Sequence, residues 1–155
     1  MLKRLDETLM QEPLLPEHGT YIVAVSGGRD SVVLLDLLNR LQEKWGWKLI
    51  VAHLDHAQRT SSSEDAAFVG SLPDSYGYKY LLGVLPRSMQ SEAELRQARY
   101  SWLEEVRQES GANKIVTAHH KNDRLETAIW HTIRGADRVG LASLGRERDV
   151  VVRPL

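Results

Sequence analysis

The sequence contains no cysteine, and this absence excludes several classes of function at once. None of its 155 residues can form a disulfide, bind zinc as a thiolate, hold an iron–sulfur cluster through sulfur or act as a thiol nucleophile. A compact domain of about 150 residues hides roughly 68–70% of the surface that its unfolded chain exposes. The length therefore predicts one ordinary domain with a core that needs no disulfide or metal.

Long hydrophobic runs and an excess of either charge are also missing. The longest apolar stretches, such as 31–38, are interrupted by Asp36 and are much shorter than the roughly 20 residues that a bilayer requires. The N-terminus carries charges at every turn and lacks the apolar block of a secretory signal. Twenty Lys and Arg against 21 Asp and Glu give a net charge of −1, which excludes a uniformly basic nucleic-acid binder. We therefore expect a cytoplasmic protein with no membrane partner.

Two kinds of hydrophobic segment alternate along the chain. Short runs typical of strands lie at 21–25, 48–54, 78–84, 114–118 and 150–152. Five segments have helical spacing. The first is an opening helix ended by Pro13, and two more cover 31–44 and 123–134. The other two begin at capping boxes: one runs from Ser61/Glu64 to Pro73 or Gly77, and the other from Ser91/Glu94 to Gly111. This alternation predicts an α/β fold, a doubly wound and mostly parallel sheet with helices on both faces.

Polar residues follow three of the predicted strands. They occupy 26–31 after the first strand, 53–56 at the end of the second and 119–120 after the fourth. In doubly wound sheets, ligands bind beyond the carboxyl ends of the strands, near the point where the strand order reverses. We therefore expect these three segments to converge on one site.

The segment 26–31, with the sequence Ser-Gly-Gly-Arg-Asp-Ser, joins the first predicted strand to a predicted helix. Two adjacent glycines allow positive φ and a close approach to an oxyanion, and the N–H groups of a helix start attract phosphate. The segment is neither a Walker A loop nor a GxGxxG motif, because no lysine follows the glycines and their spacing differs. The alternative is a simple glycine turn in which Asp30 or Ser31 caps the helix.

Three further candidates carry weaker signals by themselves. Asp55 could hold a magnesium ion or an ammonium group, although a lone aspartate in a loop is usually a capping residue. Arg96 and Arg99 share a helical face and could bind phosphate, although most arginines on amphipathic helices are solvated. Asp123 and Glu126 share the first turn of a helix, where the helix dipole alone favours acids.

The motifs together resemble the N-terminal PP-loop domain of the tRNA(Ile)-lysidine synthase family, and the resemblance covers nearly the whole chain. The matching segments are 26–35 (the family's SGGxDSxxLL), 53–59 (HxDHGxR), 92–100 (EAxxRxxRY), 118–127 (AHHxDDQxET), Arg134-Gly135 and 153–155 (Arg-Pro-Leu). Three residues depart from the family pattern. Ala57 replaces a glycine, Asn122 replaces the first aspartate of the fourth motif and Arg124 replaces a glutamine.

The resemblance implies an ATP-dependent ligase with ATP and Mg²⁺ as cofactors. Such enzymes adenylate the C2 carbonyl oxygen of the wobble cytidine in an isoleucine tRNA, and the ε-amine of lysine then displaces AMP to give lysidine. Matched motif by motif, the implied pyrophosphate-binding residues are Ser26, Gly27, Gly28, Arg29, Asp30 and Ser31, with Asp30 as the metal ligand and His53 and Asp55 beside the adenosine. The implied catalytic residues are Asp30, Asp55, Arg99, Asp123 and Glu126. Of these, Arg99 stabilises the anionic transition state, Asp123 and Glu126 bind lysine, and Arg134 also contacts substrate.

The resemblance also implies partners and leaves alternatives open. The partners are an isoleucine tRNA with a CAU anticodon and L-lysine, and a homodimer is one expectation for the assembly. The family continues into tRNA-binding domains, so we expect residues 1–155 to form the PP-loop ATP-binding catalytic domain without them. The alternatives are another PP-loop tRNA-modifying enzyme, such as a thiolase, and a non-catalytic nucleotide- or tRNA-binding module. Related thiolases rely on cysteines, which are absent here.

Overall fold

The computed structural model of the protein describes residues 1–55, 67, 69–71, 77–85, 91–118 and 150–154. Along this part of the chain the elements are α1 (Leu2–Gln11), β1 (Thr20–Ala24), α2 (Arg29–Trp45), β2 (Lys48–Asp55), β3 (Lys79–Val84), α3 (Glu92–Glu109), β4 (Lys114–Val116) and β5 (Val151–Val152). Residues 67 and 69–71 are also helical. The predicted capping box at Ser61 and Glu64 and the predicted helix 123–134 lie outside the described residues.

The five strands form one parallel sheet in the order β3-β2-β1-β4-β5. The chain first builds outward from β1 to β2 and β3, and then returns to the other side of β1 for β4 and β5. The strand order therefore reverses between β1 and β4, which is the place where such sheets bind ligands. The predicted α/β architecture is confirmed.

Successive residues of the central strands pack on opposite faces of this sheet. Tyr21 and Val23 of β1 join a core formed with α1 and α2, whereas Ile22 joins a core formed with α3. The same alternation holds in β2, where Val51 faces α1 and α2 and Ile50 faces α3. Helices thus cover both faces, as a doubly wound fold requires.

Helix boundaries follow from local capping. The predicted capping box is confirmed at the start of α3, where the Glu94 N–H donates to the Ser91 hydroxyl at 3.1 Å and the Glu94 carboxylate accepts from the Ser91 N–H at 3.4 Å. The start of α2 differs from the prediction. Its N-cap is Gly28, so the helix begins at Arg29 rather than at Ser31, and neither Asp30 nor Ser31 is the capping residue.

Helix α1 is attached to α2 by apolar and polar contacts. Leu5 and Leu9 are buried in the core, as their helical spacing predicts. On the neighbouring face, the Asp6 carboxylate accepts hydrogen bonds from the Lys44 ammonium group and from the Trp45 indole N–H. In the described part of the chain, no helix is long and apolar enough to cross a bilayer.

Candidate functional site

The loop after β1 has a backbone that only its first glycine allows. Gly27 adopts φ = +85°, a conformation that side-chain-bearing residues rarely take, whereas Gly28 is extended at φ = −69°. The buried Ser31 hydroxyl donates to the Gly28 carbonyl oxygen at 2.8 Å and accepts from the Ser26 N–H at 3.2 Å. The loop therefore folds back on the first turn of α2 and has a defined shape.

This loop presents the start of a long helix to solvent. Ser26, Gly28, Arg29 and Asp30 are exposed, while Ser31 is buried beneath them. The first N–H groups of a helix have no acceptors within it, and the helix dipole adds positive potential at the same end. The arrangement suits an anion such as a phosphate group, as the two-glycine pattern predicts.

A cavity of about 290 Å³ opens beside the loop, at the carboxyl ends of β1, β2 and β4. Its size is near the lower end of the roughly 300–1,000 Å³ typical of small-molecule sites. The residues around it are Ala24, Val25, Ser26, Gly28, Arg29, Asp30, Ser31, Ala52, Leu54, Arg99, Tyr100, Trp102, Leu103, Thr117 and Ala118. The cavity thus has a polar side formed by the loop and an apolar side formed by the sheet and α3.

The register of the sheet explains the floor of this cavity. Ala24 of β1 pairs with Ala52 of β2, and Thr117 follows directly after β4 at the same level. These residues belong to the sheet face that packs on α3, and two of them carry only a methyl group. Small side chains in one row leave the space that α3 then encloses.

Arg99 is the predicted site residue that α3 contributes to the cavity. Its guanidinium carbon lies 5.3 Å from the ring centre of Tyr100, a cation–π contact that helps to orient it. Arg96, one helical turn earlier, does not line the cavity. The structure therefore separates two arginines that the sequence pattern alone treats alike.

His53 and Asp55 are placed differently from the other site residues. The strand alternation puts both side chains on the sheet face toward α2, opposite the cavity, and neither residue lines it. His53 is buried, and its Nδ1 lies 2.7 Å from the Val25 carbonyl oxygen. Asp55 lies close enough to Tyr80 for its charge to add to the effect of burial, which raises the pKa of that phenol. The implied contacts of His53 and Asp55 with a nucleotide stay predictions.

Nε2 of His53 and Oγ1 of Thr117 are buried at the carboxyl end of the sheet and have no hydrogen-bond partner among the described residues. A buried hydroxyl without a partner costs about 1–3 kcal/mol of stability. Thr117 is 2% exposed and lines the cavity. The candidate site therefore contains a buried hydroxyl that lowers the stability of the fold.

Several predicted residues lie outside the described residues: His119, His120, Asp123, Glu126 and Arg134. Of the others, the loop residues and Arg99 are brought together around one cavity. Sequence reasoning missed the apolar wall. Trp102 is an aromatic residue on an apolar helical stripe, a pattern that predicts a buried core position, yet it lines the cavity. The one sequence signal for this role is its position three residues after Arg99 on the same helix.

A family model described as a PP-loop domain matches residues 2–155. The chain belongs to the PP-loop domain family. Membership implies the use of ATP, which agrees with the shape of the loop 26–31 and with its place at the strand-order reversal.

Curated relatives carry a more specific name. A tRNA(Ile)-lysidine synthase of Synechococcus sp. is 37% identical over 156 residues, covering 97% of this chain and 48% of that protein. A tRNA(Ile)-lysidine synthase of Gloeobacter violaceus is 40% identical over 147 residues, covering 92% of this chain and 45% of that protein. The chain therefore spans about half the length of the curated relatives it matches.

A solved structure supports the fold. The U34-tRNA thiolase of Methanococcus maripaludis, which holds a [4Fe-4S] cluster, superposes with a TM-score of 0.73 at 20% identity, covering 99% of this chain and 56% of the thiolase. At this identity the likeness shows a shared fold and not a shared reaction. The cysteine-free sequence offers no thiolate for such a cluster.

Proposed function

We propose that this chain is the catalytic PP-loop domain of a tRNA(Ile)-lysidine synthase. The observation that carries the proposal is the cavity formed by the loop 26–31 and Arg99, in a chain whose curated relatives bear that name at up to 40% identity. The substrates are ATP, L-lysine and an isoleucine tRNA with a CAU anticodon. In the first step, the C2 carbonyl oxygen of the wobble cytidine attacks the α-phosphorus of ATP, and pyrophosphate leaves.

The loop binds the leaving pyrophosphate. Backbone N–H groups at the start of α2 donate to its oxygens, and the exposed Ser26 supplies a hydroxyl. The buried Ser31 hydroxyl, which donates to the Gly28 carbonyl oxygen, holds the loop in the conformation that binds. Arg29 adds a positive charge at the rim of the cavity. These groups stabilise the charge that accumulates on the β- and γ-phosphates as the bond to the α-phosphorus breaks.

Asp30 is the proposed ligand for Mg²⁺. It lies in the first turn of α2, is exposed and lines the cavity next to the proposed phosphate position. The described residues contain no cluster of three or more ligating side chains that could hold a metal without a substrate. Mg²⁺ is commonly held by one or two carboxylates together with substrate phosphates and water, so a single aspartate beside the loop fits it. When bound, the ion neutralises phosphate charge.

Arg99 acts on the reacting centre from α3, which lines the same cavity as the loop. Its guanidinium offers several N–H donors in a planar fork, which suits phosphate oxygens on which negative charge builds up. Because α3 and the loop line the same cavity, Arg99 is available to a nucleotide whose phosphates lie on the loop. We therefore assign transition-state stabilisation to Arg99.

Asp123 and Glu126 hold the lysine in the second step, and Arg134 contacts the RNA. The ε-amine attacks C2 of the adenylated cytidine, AMP leaves with the oxygen, and the amine loses protons to a nearby base. Two carboxylates can hold the cationic form of lysine, but attack requires the neutral amine, so the site must also lower its pKa. The two acids occur at the spacing of one helical turn, which lets both contact one ligand.

The decisive experiment is mass spectrometry of isoleucine tRNA after incubation with the protein, ATP and isotope-labelled lysine. We expect a nucleoside that carries the label at the wobble position. A second measurement, the exchange of labelled pyrophosphate into ATP, should depend on the same tRNA. Exchange without incorporation of lysine would point to another tRNA-modifying reaction, and binding without exchange would point to a non-catalytic module.

A further inference from the structure

Gly83 and Trp102 make a close contact that the sequence motifs do not include. Gly83 is buried in β3, and Trp102 stands on α3 opposite it. A Cβ atom at position 83 would lie 2.5 Å from Cε2 of Trp102 and 2.7 Å from Cδ1 of Leu54. Gly83 does not have a positive φ, so the close approach of neighbouring side chains explains this glycine, not its backbone conformation.

Both side chains that crowd Gly83 also line the cavity. Leu54 is the register partner of Gly83 on the neighbouring strand, and Trp102 covers the two from α3. Because Gly83 has no side chain, the indole of Trp102 can pack directly against the sheet. Gly83 itself does not line the cavity, but it determines where Trp102 and Leu54, which form one wall of the cavity, can lie.

The wall belongs to the apolar side of the cavity, away from the loop. Ala24 and Ala52 form the floor, and Leu103 of α3 adds an aliphatic group. A nucleotide has the matching polarity, with charged phosphates at one end and a flat aromatic base at the other. An aromatic side chain can bind any base by stacking, because every base has a π-face.

We propose that Trp102, held over Gly83, contacts the adenine base of ATP, and that Gly83 is the positioning residue for this contact. The inference rests on the proposed function, because it requires the phosphates of ATP to lie on the loop 26–31. Gly83 acts through Trp102 and does not itself touch the nucleotide. Substituting Gly83 should therefore affect recognition of the base and leave recognition of the phosphates unchanged.

The test compares two ligands, ATP and inorganic tripolyphosphate, which carries the phosphates without a base. Gly83→Ala should raise the dissociation constant for ATP about tenfold, the effect of losing one good base contact, and change that for tripolyphosphate less than about twofold. Gly70→Ala is the matched control. Its added Cβ would lie 3.5 Å from the Tyr80 ring, an ordinary contact, and Gly70 does not line the cavity.

A double variant separates positioning from a general loss of stability. In Gly83→Ala with Trp102→Phe, the smaller ring relieves the overlap, so part of the lost preference for ATP over tripolyphosphate should return. A purely structural glycine would recover stability in this variant without any change in that preference. Trp102→Ala alone gives the same preference test if Gly83→Ala does not fold, and it should lower the preference about tenfold.

The outcomes distinguish a failure of the Gly83–Trp102 contact from a failure of the proposed function. Equal losses for ATP and tripolyphosphate in Gly83→Ala, or an unchanged preference in Trp102→Ala, would overturn the role of Gly83 and Trp102 while leaving phosphate binding at the loop in place. A wild-type protein that binds neither ligand would overturn the proposed function together with this contact. A base-specific loss in both variants, with partial recovery in the double variant, would establish it.

Discussion

The hydroxyl of Ser31 donates a hydrogen bond of 2.8 Å to the carbonyl oxygen of Gly28, so the first turn of α2 and the loop before it form one unit. The same hydroxyl lies 3.3 Å from the hydroxyl of Ser26 and accepts from its N–H. A buried serine therefore determines the loop conformation from below, while the exposed residues above it remain available to a ligand.

Ser31→Ala should loosen this loop. The substitution leaves the Ser26 N–H without its acceptor, and we expect the free energy of unfolding to fall by about 1–3 kcal/mol, together with weaker binding of ATP. Denaturant titration and calorimetry measure the two effects. Ser110→Ala, at the C-cap of α3, is a control for the loss of a hydroxyl far from the loop. An unchanged affinity for ATP in Ser31→Ala would contradict the role given to this contact.

Asp30→Ala should abolish Mg²⁺-dependent turnover of ATP and leave the fold intact, because exposed loop side chains contribute little to the core. The matched control is Asp36→Ala on the same helix, where the carboxylate pairs with Arg40 at 2.8 Å instead of lining the cavity. Turnover measured across a Mg²⁺ titration distinguishes the two variants. Wild-type affinity and turnover in Asp30→Ala would refute the assignment of Asp30 to the metal.

Glu126→Gln should act on lysine rather than on ATP. If Asp123 and Glu126 hold the amine, the variant raises the KM for lysine, or lowers kcat if the contact forms only in the transition state. The KM for ATP should change little. Glu105→Gln, an exposed residue of α3, controls for the loss of a surface charge. A change confined to ATP would show that these acids serve the metal ion instead.

Thr117→Val should stabilise the free protein, because its buried hydroxyl has no hydrogen-bond partner among the described residues. Valine has nearly the same shape, and removal of an unpaired hydroxyl can return up to about 1–3 kcal/mol. The control is Thr8→Val, whose hydroxyl donates to the Arg4 carbonyl oxygen at 2.9 Å and whose loss should not stabilise. A drop in stability for Thr117→Val, measured by denaturant titration, would mean that the hydroxyl is satisfied in solution.

The attachment of α1 should weaken in acid. The hydrogen bond from Lys44 lowers the pKa of Asp6, with a further contribution from the Trp45 indole, and burial opposes the shift. Because the folded pKa lies below the usual 3.8, the stabilisation is present above that value and is lost as the pH falls through the folded pKa. The pair is partly exposed, so its contribution is below about 1 kcal/mol.

This pH dependence is measured as the difference in unfolding free energy between wild type and Asp6→Asn. The difference should be present at neutral pH and should vanish in strong acid. Lys44→Met removes the cause of the shift, so Asp6→Asn made in that background should show little pH dependence. A difference that stays constant with pH would exclude the Asp6 carboxylate as its source.

Much of the fold follows from sequence pattern, and the differences have local causes. The predicted strand 21–25 is observed as Thr20–Ala24, and the predicted opening helix as Leu2–Gln11. Helix α2 starts two residues before the prediction because Gly28, rather than a side chain, occupies the N-cap position. Side-chain capping is visible in a sequence, as at Ser91, whereas a backbone cap by glycine is not.

The candidate site was predictable only in part. The loop 26–31 carries its signal in consecutive residues, so its position and its positive φ follow from the sequence. Trp102 carries an ambiguous signal, because an aromatic residue on an apolar helical stripe is equally compatible with a core and with a cavity wall. His53 and Asp55 share a motif, but the motif does not say which face of the sheet they occupy.

Local sequence patterns account for the succession of strands and helices along the chain, for the glycine loop between β1 and α2 and for the motifs that mark the PP-loop family, because each of these depends on neighbouring residues. The position of the cavity on the α3 face, with Ala24, Ala52 and Thr117 in one row and Trp102 packed against Gly83, depends on how distant segments pack together. Alternation along a strand defines two faces without stating which helix covers each. Which helix covers which face is determined when β4 pairs with β1 and the helices pack on the sheet.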